Sequence, residues 1–174
     1  MSLQSTFDQA KLGNVYFAAT QSAVTLSALS TTATGLILSN PYGSGKNVAV
    51  LTVNWAFSTA PAGASVVGIA MSPTVSQTQV THTTPLTIQN ALAAGTQGPT
   101  GVAKVDSAAT TVGTPVWARF LGGPVAASQI NPPYIRDDID GALILVPGTS
   151  IQLAYLTTAA VGMASITWVE YSPT

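Results

Sequence analysis

Three stretches of this chain hold residue types that do chemistry in other proteins. In residues 39–50, SNPYGSGKNVAV, the run Gly43-Ser44-Gly45-Lys46 invites comparison with a phosphate-binding loop. That loop has the form G-x-x-x-x-G-K-[ST]: its glycines let backbone N–H groups wrap phosphate, and its hydroxyl ligates magnesium. Asn40 stands where the first glycine is needed and Asn47 where the hydroxyl is needed. Such a loop must also open a helix. After Lys46, however, Ala49, Leu51, Val53, Trp55 and Phe57 form one apolar face and Thr52 and Asn54 fall on the other, a period of two that predicts a strand. With GLILS before it, the segment reads as a turn between two strands.

The second stretch, RDDIDG at 136–141, crowds three of the chain's six acids together. A helix-flanked calcium loop needs oxygen ligands at alternate positions, glycine at the sixth and a bidentate glutamate at the twelfth; with Gly141 as the sixth, Arg136 and Pro147 occupy the two ends. Asp137, Asp138 and Asp140 remain a candidate metal set of another geometry, against an acidic turn whose carboxylates bond local backbone. The third stretch, TQVTHTT, carries the only histidine, His82, which excludes a zinc site of two or three histidines within one chain. No G-x-S-x-G elbow accompanies it, so His82 is expected on the outward face of an alternating strand. Glu170 and the aspartate cluster could in principle supply a glycosidase pair, but no spacing supports it. No catalytic residue is assigned, no cofactor is expected, and the chain reads as a non-enzyme.

The elements that must position these residues are mostly strands. Short apolar or alternating runs, among them NVYFAAT, GLILS, SVVGIAM, PVWARFL, ALILV, SIQLAYLT and MASITWVEY, are separated by APAGA, LGGPV, VPGTS and similar punctuation, the pattern of an all-β sandwich or barrel. Two short helices are expected. One is STFDQAKL; the other is TPLTIQNALAAG, with Thr84 as cap, Pro85 at the first helical position and Gly95 as stop. Residues 1–13 form an N-terminal arm and 14–174 a single sandwich domain. Trp55, Trp117 and Trp168 are expected in the core, whereas Phe7, Tyr16 and Phe17, beside polar residues at the chain start, are candidate partner contacts.

Composition narrows the partners. Charged residues are 6% of the 174, against about 25% in ordinary soluble proteins. Five basic residues, scattered at 11, 46, 104, 119 and 136, make no patch for nucleic acid. No apolar run reaches bilayer-spanning length, and the first residues lack a signal-peptide layout, so a soluble protein without membrane partner is expected. The absence of cysteine rules out disulfides and thiolate sites. A net charge of -1 offers little repulsion between copies. Because GLIL, ALILV and SVVGIAM are apolar on both strand faces, their outer faces call for a cover, and a homo-oligomer is expected.

TGLILSNPYGSGKNVAVLTVNWAFS and, about a hundred residues on, GALILVPGTSIQLAYLTTAAVGMASITWVEY resemble small virion proteins of tailed bacteriophages. The likeness lies in a strand, an Asn-Pro-x-Gly-Ser-Gly turn and a long strand, then a Pro-Gly-Thr turn and a closing strand with Trp-x-Glu. It covers residues 35–57 and 141–171. The resemblance implies a jelly-roll or related β-sandwich, often trimeric, acting as a head decoration (cement) protein on the major capsid protein lattice. Its place would be the virion surface, after synthesis in the host cytoplasm. A tail or fibre component is the alternative within that class. A carbohydrate-binding jelly roll is the alternative outside it, since lectins share the architecture.

Overall fold

The computed structural model describes residues 5–92, 99–128 and 134–173. A short helix, α1 (Thr6–Lys11), is capped by the Ser5 hydroxyl, which accepts from the Asp8 N–H. Twelve strands follow among the described residues: β1 (Val15–Ala19), β2 (Val24–Thr25), β3 (Thr32–Asn40), β4 (Asn47–Thr59), β5 (Val67–Met71), β6 (Val80–Pro85), β7 (Ile88–Asn90), β8 (Lys104–Thr111), β9 (Val116–Gly122), β10 (Tyr134–Leu145), β11 (Thr149–Tyr155) and β12 (Val161–Tyr171). They form two antiparallel sheets. Sheet A runs β10-β4-β12-β1-β7, with β2 also paired to β12, and sheet B runs β6-β8-β3-β11-β5-β9.

The connectivity is that of a jelly roll. The first-half strands β1, β3, β4 and β5 pair in reverse order with the second-half strands β12, β11, β10 and β9, as if one long hairpin had been rolled up. Two further pairings, β4 with β12 and β5 with β11, complete the sheets. Between β5 and β9 an insertion adds β6 and β8 to the β3 edge of sheet B and β7 to the β1 edge of sheet A.

One core fills the space between the sheets. Leu36 and Leu38 of β3, Val53 and Trp55 of β4, Ile151 and Leu153 of β11, and Ile166 and Trp168 of β12 are all buried there, each worth about 1.5–3 kcal/mol relative to exposure. The period of two read in β4 holds from Val53 to Phe57 but shifts before them, where Val48 and Val50 point inward. A bulge at Leu51 causes the shift: Thr167 pairs with Thr52 and Trp168 with Val50, leaving Leu51 unpaired. Gly162 lets the sheet close on Trp55, for a Cβ there would lie 2.7 Å from the Trp55 ring.

Three expectations change. The segment at 84–90 continues as the end of β6 and then β7 rather than a helix, and part of TPLTIQNALAAG lies outside the described residues. Its Thr84 carries the Ser107 hydroxyl bond and pairs with Ala108 in the ladder, so tertiary pairing overrides the local cap signal. Trp117 lies outside the main core, packed over Gly68 of β5 and beside Phe120 at 5.2 Å. Finally, GLIL and SVVGIAM are covered by the chain itself. On the outer side of sheet B, Ile37 joins Ala33, Ala109 and Val80 in a second cluster, and the Gln152 amide donates to the Ser30 carbonyl. ALILV belongs to the edge strand β10, whose Ile144 faces solvent.

Candidate functional site

The insertion builds a concavity at the edge of the sandwich. Between the end of β6 and β7 the chain crosses from sheet B to sheet A, and residues 99–103 return along the same edge before β8 begins. A cavity of about 530 Å³ lies there. Its apolar wall comes from Leu86, Ile88 and Val105, and its polar side from His82, Lys104 and Asp106. Lys104 and Asp106 are two apart on β8 and so share a face, and His82 reaches the same place from β6.

His82 and Asp106 form a close pair, Nδ1 to Oδ2 2.6 Å, with the imidazole 37% exposed and the carboxyl 1% exposed. An ionised carboxylate only accepts, so Nδ1 donates and Nε2 is left as the outward nitrogen. The second carboxyl oxygen, Asp106 Oδ1, is buried without a hydrogen-bond partner among the described residues. An imidazole oriented by a buried carboxylate is two thirds of a hydrolytic triad. Among the described residues, His82 forms no hydrogen bond with a serine or threonine hydroxyl that would serve as nucleophile.

Behind the cavity, two buried side chains latch the insertion to the core. Glu170, fully buried on β12, accepts from the Val102 N–H at 2.8 Å, the Ala103 N–H at 3.0 Å and the Trp168 indole at 3.2 Å. Gly101 is required beside it, since a Cβ there would meet Glu170 Oε1 and the Tyr16 ring. Asn90 donates to the Gly13 and Pro99 carbonyls and accepts from the Leu92 N–H. Tyr16 stacks on Trp168 with ring centroids 5.9 Å apart. Burial, with the Glu170 charge second, raises the Tyr16 hydroxyl above its ordinary pKa, and a hydrogen bond with Asn90 acts the other way.

The residues singled out from sequence are spread over the molecule. Of the candidate contacts, Phe7 is 67% exposed on α1 under the Lys11 ammonium, and Phe17 is 37% exposed on the outer face of sheet A. Tyr16 is corrected to a buried residue, because alternation in β1 turns it inward onto Trp168 while its neighbour turns out. Asp137, Asp138 and Asp140 do not converge. Asp137 forms a bidentate pair with Arg119, Nε to Oδ2 2.7 Å, which ties edge strand β10 to edge strand β9. Asp138 pairs with Arg136, and Asp140 sits at φ 51 in a bulge before Gly141. Among the described residues no group of three His, Cys, Asp or Glu side chains is placed to hold a metal. The expected acidic turn is a strand interrupted by that bulge.

The Gly43 to Lys46 loop is a turn between β3 and β4, with positive φ at Gly43 and Gly45. Asn40, at the place of a phosphate loop's first glycine, is buried and donates to the carbonyls of Lys46 and Leu145, so it closes the turn and ties it to β10. Sequence reasoning missed Asp106, Asn90 and the structural use of Glu170. The signal for Asp106 was an acid inside the otherwise apolar and hydroxylic alternation of KVDSAATT. Compared with models of protein families and with curated proteins, the chain matches none.

Proposed function

We propose that the chain is a non-catalytic structural protein of a bacteriophage virion, a head decoration protein that assembles with copies of itself and binds the major capsid lattice. The observation that carries this reading is the outer face of sheet A. Register places Tyr134, Ala56 and Met163 in one row across three strands, Thr52, Thr167 and Phe17 in another, and Ile144, Ala49 and Val169 in a third. Charge on this face, among the described residues, is Arg136 and Asp138, which neutralise each other at 2.7 Å, with Asp140 exposed at the bulge of the edge strand. Tyr134, Ile144, Met163 and Phe17 are exposed there. A broad sheet face with apolar and hydroxyl side chains and almost no charge suits burial against a protein surface.

The likeness of residues 35–57 and 141–171 to small phage virion proteins supports the same reading, and those residues form β3, β4, β11 and β12, the jelly roll's centre. Several weak contacts made at once by one oligomer give the avidity that decoration needs. The test is cosedimentation of the purified protein with capsids that lack it, alongside Thr167→Lys on the outer face and Thr157→Lys as a surface control. Saturable binding that Thr167→Lys weakens and Thr157→Lys leaves intact is expected. Absence of binding by the unmodified protein, or equal binding by both variants, contradicts the proposal.

A further inference from the structure

We infer that the cavity along the β6 to β7 crossover is a binding site for a neutral polyhydroxylated ligand, a single sugar unit. Its volume of about 530 Å³ lies in the range of small-molecule sites. This inference stands apart from the decoration reading, which rests on the outer face of sheet A, and either can fail alone.

The lining chemistry selects the class. Lys104 offers a donor and the outward Nε2 of His82, whose Nδ1 already donates to Asp106, an acceptor within one small patch, and the Lys104 charge is matched by that of Asp106, which disfavours a fully charged ligand. These two polar groups also disfavour a hydrocarbon, because each would be desolvated without a partner. A sugar hydroxyl both donates and accepts, so it bridges an ammonium donor and an imidazole acceptor at once. Beside these groups the partly buried Leu86 and Ile88 give the apolar surface that the C–H face of a pyranose covers. Glu170 and Asn90 hold this wall in place by fixing residues 99–103 without spending their own polar atoms on the cavity.

The experiment is amide NMR of the folded full chain titrated with glucose, galactose, mannose and N-acetylglucosamine, and separately with n-butylammonium and inorganic phosphate. At least one sugar is expected to bind with a dissociation constant of about 0.1–10 mM, the range of a small ligand making few hydrogen bonds. The shifted amides should cluster at residues 82–88 and 99–106. His82→Ala, which removes the outward acceptor, and Thr100→Trp, placed at the exposed lip to fill the cavity, should each weaken binding at least tenfold. Thr100→Trp keeps the His82–Asp106 pair, so it decides the matter if His82→Ala does not fold. No shift with any of the four sugars at saturating supply, shifts elsewhere, unchanged affinity in the folded variant, or tighter binding of butylammonium or phosphate at this site would overturn the inference.

Discussion

Replacing Glu170 tests whether one buried carboxylate holds the insertion to the jelly roll. In Glu170→Ala three donors lose their acceptor: the N–H groups of Val102 and Ala103 and the Trp168 indole. A buried donor left unpaired costs about 1–3 kcal/mol. Val102 is only partly buried, so water relieves some of the loss, and the sum comes to about 3–5 kcal/mol. For a domain of this size that is a fall in Tm of about 6–20 °C. Glu170→Gln is the milder case. One oxygen, Oε1, serves both Ala103 and Trp168 and survives in the amide, while the new NH2 faces the Val102 donor, for about 1–3 kcal/mol. Urea unfolding at neutral pH gives these values, and hydrogen exchange should quicken first at Val102 and Ala103. An alanine variant losing less than about 1 kcal/mol would refute the latch.

Two other outcomes follow from the same packing. The folded Tyr16 hydroxyl titrates above its ordinary value of 10.0; between those values the fold keeps a proton that the unfolded chain releases, so stability is full below pH 10 and falls as pH rises beyond it, and the fall measured by Tm should be shallower in Glu170→Gln, where the second cause of the shift is gone. Gly162→Ala should lower stability by about 3 kcal/mol, because its Cβ meets the Trp55 ring and the Ala56 carbonyl, whereas Gly43→Ala, with open space but φ 76, should cost only about 1 kcal/mol; equal urea midpoints for the two would contradict the close approach.

The all-β architecture was legible because alternation is a local signal, strongest where one face is buried, as in Ile166 and Trp168 of β12. The GSGK turn was legible for the same reason, since a strand follows Lys46 at once. What alternation does not carry is the identity of the covering layer. GLIL and ALILV look alike in sequence, yet Ile37 lies under the second cluster and Ile144 faces solvent, because β3 is central and β10 is an edge. The cavity was invisible for a further reason. His82 and Asp106 are 24 residues apart, and their meeting depends on how β6 pairs with β8. Likewise Glu170 gave no sign of its partners, which lie 67 and 68 residues away.

The mass of the unmodified protein in solution tests the assembly reading most directly. Light scattering coupled to gel filtration, at tens of micromolar and without ligand, should give a trimer of three times the 17.6 kDa chain, formed with little charge to oppose contact. A particle of 17.6 kDa that persists across that range would contradict a self-assembling virion protein.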